Sequence, residues 1–126
     1  MKLDTIYVKP DSVFSSYVAD WAVNLDVKIS DYDIKTDEHS AEGLLLINEN
    51  HDLTRDMDDL HSLFDQRHVP TQKIDINGTL QVAISSFEMW LKNFKCKKIL
   101  VLGSDNLVKN ENLDRFFTKV NTEIRF

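Results

Sequence analysis

The sequence predicts a three-layer, doubly wound α/β fold on a mostly parallel, open sheet of five strands. Three observations predict it. Short runs rich in β-branched, aliphatic and aromatic residues alternate with longer segments whose apolar residues recur at helical spacing. One of the runs, "GLLLI" (43–47), is fully apolar, as a central strand covered on both faces must be. The 126 residues, 42% hydrophobic and 29% charged, suffice for one ordinary buried core.

The first strand is "DTIYV" (4–8), stopped by Pro10. Val13, Phe14, Tyr17, Val18, Trp21, Ala22 and Leu25 then form one apolar stripe, which predicts a helix over about 12–25. "VKI" (27–29) is a short second strand. Residues 30–42, "SDYDIKTDEHSAE", are polar without helical period and read as a loop. "GLLLI" follows as a central strand. Leu53, Met57, Leu60 and Phe64 predict a second helix over about 54–67, ended by Val69-Pro70. "TQKIDI" (71–76) is a strand and "NGT" (77–79) a turn. Leu80, Ala83, Ile84, Phe87, Leu91 and Phe94 carry a third helix. "KKILVLG" is the clearest strand of the chain, and Leu113, Phe116, Phe117 and Val120 carry a short last helix. The tail "TEIRF" (122–126) is expected either to add an edge strand or merely to pack.

The resulting order, β-α-β-β-α-β-α-β-α, implies helices on both faces of the sheet, in a Rossmann-like or flavodoxin-like arrangement. Two common strand orders fit equally well. No repeat, low-complexity tract or linker divides the chain, so residues 1–126 are expected to form a single domain.

Composition narrows the function. A net charge of −6 and a pI of about 5.1 argue against non-specific nucleic-acid binding. The one basic stretch, "KNFKCKK" (92–98), reads as a solvated helix end. With one cysteine, Cys96, no internal disulfide can form, which favours a reducing compartment. The longest wholly apolar run, "LLLI", is far too short to span a bilayer, and the N-terminus has no apolar signal-peptide core. A cytoplasmic protein without nucleic-acid or membrane partners is expected.

In an open parallel sheet, ligands bind at the carboxyl ends of the strands. The candidate residues there are Asp11 and Ser12 after the first strand, and Asn48 and Glu49 after the third. Gly78 and Thr79 follow the fourth, and Gly103, Ser104 and Asp105 the fifth. Helix caps alone call for many of these residue types. The first corner, "YVKPDSVF" (7–14), is instructive. A phosphate there needs free backbone N–H groups and close approach, which glycines permit. This corner has no glycine, and Pro10 has no N–H. Asp11 or Ser12 can cap the helix, and Asp11 would bring negative charge to the anion's place. The glycine-bearing corners "NGT" and "GSDN" are more open, but neither completes a nucleotide fingerprint.

The layout resembles that of the putative molybdenum carrier family and of the wider Rossmann-like nucleotide-sensing and lysine-decarboxylase-like proteins. The resemblance rests on "IYVKPDSVFSSYVADWAVNLDVKI" (6–29), "EGLLLI" (42–47), "DLHSLFDQRHVPTQKIDI" (59–76) and "SSFEMWLKNFKCKKILVLGSDN" (85–106). It implies a ligand at the strand ends. The glycine-rich turns of those families read "KPDS" and "NENHDLT" here, which implies a degenerate member whose pocket is altered or lost.

Other constellations are incomplete. His61, Asp65 and His68, with Asp58, share a helix face opposite the apolar stripe and read as a solvated face rather than a metal set. Asp11, Glu49 and Asp105 could meet around Mg²⁺ at the sheet edge. A phosphoacceptor set and a nucleophile elbow are both missing. The sequence therefore leans away from an enzyme and names no cofactor. It predicts a small domain that binds a nucleotide or other small ligand at the sheet edge. The alternative is an interaction or dimerisation module that uses the acidic 30–42 loop, the second helix or Trp90 to bind a protein partner or a second copy.

Overall fold

The computed structural model describes residues 3–9, 12–23, 27–32, 41–49, 55–76, 80–94, 97–109 and 111–123. Its elements are β1 (Thr5–Val8), α1 (Val13–Val23), β2 (Lys28–Asp31), β3 (Gly43–Asn48), α2 (Arg55–Gln66), β4 (Thr71–Asp75), α3 (Leu80–Phe94), β5 (Lys98–Gly103) and α4 (Glu111–Glu123). A short 3₁₀ segment, Asp105–Lys109, links β5 to α4 and has no apolar period by which to foresee it. Thr122 and Glu123 of the tail are helical, not strand; 124–126 lie outside the described residues.

The five strands form one all-parallel sheet in the order β2-β1-β5-β3-β4. This is neither of the two common doubly wound orders, because β5 is inserted between β1 and β3. The steps β1→β2 and β4→β5 both run toward the β2 edge, and their helices α1 and α3 share one face. The step β3→β4 runs the other way, and α2 lies on the opposite face. These crossovers therefore all have one hand, as the strand twist requires.

The strand pleat sorts the core into two layers. Ile6, Val8, Leu45, Ile47, Ile74, Ile99 and Val101 face α1, α3 and α4. Tyr7, Leu44, Leu46, Leu100 and Leu102 face Met57 and Phe64 of α2, with Tyr32 and Ala41 from the ends of the β2–β3 connection beside them. The central strands are buried on both sides. The edge strands carry Lys28 and Asp31 on β2 and Lys73 and Asp75 on β4, charges that discourage further strand pairing.

On the three-helix face, α1 and α4 interlock through aromatic side chains with polar tips. The rings of Tyr17 and Trp21 lie 5.8 and 4.4 Å from that of Phe117. The Tyr17 hydroxyl donates to Asp114 at 2.8 Å, and Trp21 Nε1 donates to Asn121 at 2.8 Å. Burial and then the Asp114 carboxylate push the Tyr17 hydroxyl up to about 12. Trp90 is 4% exposed and stacks on Phe87, so it is core and not a partner anchor.

Helix α2 ends in a Schellman turn. Val69 N–H donates to the Phe64 carbonyl and His68 N–H to that of Asp65, both at 3.0 Å. His68 takes the left-handed position, with φ of 59°. A side chain is disfavoured there and glycine is the usual occupant. His68→Gly is expected to raise unfolding free energy by about 0.5–1 kcal/mol despite the greater chain entropy of glycine, measured by urea denaturation.

Candidate functional site

The carboxyl end of the sheet is organised by how α1 begins. Ser12 is its N-cap: its carbonyl accepts from Ser16 N–H at 3.1 Å, and its hydroxyl oxygen accepts from Ser15 N–H at 3.3 Å. The remaining donors go to a side chain 91 residues away in sequence. Asp105 Oδ1, just past β5, accepts from Phe14 N–H at 3.0 Å and from the Ser12 hydroxyl at 2.8 Å. The Phe14 amide and the Ser12 hydroxyl, with lesser help from the Val13 amide and the Lys9 charge, hold the Asp105 carboxyl below its ordinary value against the opposing effect of burial. The place where a phosphate would sit is thus occupied by the protein's own carboxylate. The sequence pointed to Asp11 for that charge. Asp105 supplies it, and Asp11 lies outside the described residues.

Gly103 is what brings Asp105 there. A Cβ on Gly103 would lie 2.4 Å from Cε2 and Cζ of the Phe14 ring. Phe14 is fully buried, so the ring has little room to withdraw. The glycine that looked like an opening for a ligand is needed for β5 and α1 to approach.

Beside this joint lies a cleft of about 140 Å³. Its polar lining is Lys9, Ser12, Ser15, Ser104 and Asp105; Phe14, Met57, Leu102 and Gly103 form the rest. It opens over the end of β5, between the elements that leave toward opposite faces, where ligands of such folds bind. Of the residues the sequence nominated, Ser12, Gly103, Ser104 and Asp105 meet here. Asn48 does not: it is buried, and its side-chain amide donates to the Ile74 carbonyl at 3.0 Å, tying β3 to β4. Glu49 Oε2 accepts instead from Asn112 of α4 at 3.3 Å. Gly78 and Thr79 lie outside the described residues.

Lys9, Phe14, Ser15, Met57 and Leu102 were not nominated. Ser15 had a signal: it is a polar residue on the buried side of α1, beside Phe14, Val18 and Ala22. Met57 had none, since only the fold brings α2 to this edge. Among the described residues, no three His, Cys, Asp or Glu side chains group to hold a metal ion. None of the described helices is long and apolar enough to cross a membrane.

No family model matches the chain, and no curated protein matches it. Among solved structures, the chain is similar to a protein from Syntrophus aciditrophicus SB named a putative molybdenum carrier protein. The TM-score is 0.72 over 95% of this chain and 93% of that one, at 10% identity. The likeness is one of fold, and it agrees with the resemblance visible in the sequence layout.

Two outcomes are expected at the joint. Gly103→Ala should cost about 1–3 kcal/mol through overpacking, with much of the loss recovered in the Gly103→Ala/Phe14→Leu double variant, read from a denaturation cycle. Asp105→Ala should cost about 1 kcal/mol at neutral pH, a capping loss moderated by solvent. Because the folded carboxyl titrates below its ordinary value, its contribution is present above that value and lost as pH falls through the folded pKa. The wild-type and Asp105→Ala stability curves should therefore converge in acid.

Proposed function

We propose that residues 1–126 form a single cytoplasmic domain that binds a small ligand in the cleft between α1, α2 and the end of β5, without catalytic machinery of its own. The observation that carries this reading is the cleft itself, at the switch point of a parallel sheet, lined by both polar groups and apolar side chains. The name of the structurally similar protein, a carrier, points the same way. A nucleotide phosphate is not favoured at the first corner, because Asp105 fills that place and repels a second anion. The lone cysteine, Cys96, agrees with a reducing compartment.

A second reading, self-association, is favoured by one feature. Val82 and Met89, two helical turns apart on α3, are each more than 60% exposed.

A thermal-shift screen tests the first reading. The panel would hold nucleotides, sugar phosphates, molybdate, divalent metals and small uncharged fragments. A ligand present at 100 times its Kd adds about 2.7 kcal/mol, a rise of several degrees in Tm. The expected hit shifts the amide resonances of Ser15, Leu102 and Gly103. Hits that map elsewhere, or silence across the panel, would refute the site. A concentration-dependent mass in sedimentation, lost in Val82→Glu/Met89→Glu, would then favour self-association.

A further inference from the structure

We infer that the cleft selects an uncharged molecule of about one ring in size, recognised through a hydrogen bond to the Ser15 hydroxyl; this rests on the small-ligand reading above.

Charge is the first consideration. Several of the amides that the start of α1 could offer an anion are already engaged within the protein. That of Phe14 donates to Asp105, that of Ser15 to the Ser12 hydroxyl, and that of Ser16 to the Ser12 carbonyl, while the Val13 amide also helps to lower the Asp105 carboxyl. An anion would meet the Asp105 carboxylate, with the Phe14 and Ser15 amides already engaged. A cation would meet Lys9, whose charge is close enough to lower the Asp105 carboxyl. The two opposite charges and the occupied helix end leave the cleft without a net preference for either sign.

Ser15 is the second consideration. It lines the cleft and is only 5% exposed, yet its hydroxyl takes no hydrogen bond within the described residues; its amide alone is bonded. A hydroxyl that is both donor and acceptor, largely withdrawn from water, favours a ligand that brings a hydroxyl or carbonyl to it. Phe14, Met57 and Leu102 present apolar surface to the rest of such a molecule. The third consideration is size. At about 140 Å³ the cleft is comparable with the cavity of roughly 150 Å³ known to hold benzene, and smaller than the ~300 Å³ at which drug-sized sites begin.

Phenol carries a ring and one hydroxyl and serves as the probe. Toluene, of similar shape without the hydroxyl, and inorganic phosphate are the controls. Each would be titrated into ¹⁵N-labelled wild-type protein and Ser15→Ala, a change that removes one oxygen with no hydrogen bond among the described residues and should leave Tm nearly unchanged. Phenol is expected to shift the Ser15, Met57 and Gly103 amides saturably, with affinity about fivefold weaker in Ser15→Ala, while toluene binds both proteins equally. Phosphate should leave these signals in place. Equal phenol affinity in the two proteins, or saturable phosphate binding in the cleft, would overturn the inference and leave a small-ligand site standing. If neither phenol nor toluene enters the cleft, the inference fails; if the broader screen also finds nothing there, the small-ligand reading fails with it.

Discussion

The rest of the structure depends on the insertion of β5 between β1 and β3. Without it the sheet is two separate pairs, β1–β2 and β3–β4, each a strand–helix–strand unit with a second edge left open where β5 docks. Ile99, Leu100, Val101 and Leu102 are at most 2% exposed and point alternately into both layers. Burying each such side chain contributes about 1.5–3 kcal/mol, so one strand joins the halves and fills the centre of both cores. Its start is anchored as well: Glu42, ahead of β3, accepts the Lys97 and Lys98 amides at 2.9 and 3.0 Å.

The same insertion creates the candidate site. As β5 leaves the sheet, Gly103 passes under the Phe14 ring, and Asp105 then meets the first turn of α1. The joint is hydrophobic at the ring and polar two residues on, and each part requires the other. A larger residue at 103 would separate the elements, and the carboxylate could no longer reach the helix end. The cleft is the space left beside this contact, bounded on the far side by Met57 of α2. Packing and site geometry here answer to one constraint.

Much of this was legible in the sequence. The strands and helices follow from local pattern, because a strand covered on both faces must read as an apolar run and a helix covered on one face must repeat near 3.6. "KKILVLG" and the stripe Leu80–Phe94 are clear for that reason. Strand order was not legible: where β5 docks depends on contacts between residues far apart, and its composition suits any central position. Asp105 at the α1 terminus was hidden likewise, since a capping carboxylate 91 residues away leaves no local signature. His68 was hidden differently. Its side chain falls on the solvated face of α2 by spacing, whereas its backbone takes the left-handed position that sequence usually marks with glycine. Ser15 stood in plain sight as a hydroxyl on a buried helix face, but its meaning depended on the cleft beside it.

A shared fold and a shared ligand are separate matters at this corner. In glycine-rich relatives of the architecture, free amides and a helix dipole make the α1 terminus an anion seat. Here the Phe14 and Ser15 amides have internal acceptors, and the dipole faces the Asp105 carboxylate, whose pKa is lowered by that contact. Opening that seat to an external anion would require Asp105 to withdraw, breaking its bonds to Phe14 and Ser12 and loosening the joint that Gly103 permits. Anion binding would therefore compete with the contact that holds β5 against α1. An uncharged ligand in the adjacent space asks for no such exchange, which is why the internal cap and a Ser15 hydroxyl with no hydrogen bond among the described residues, taken together, favour it.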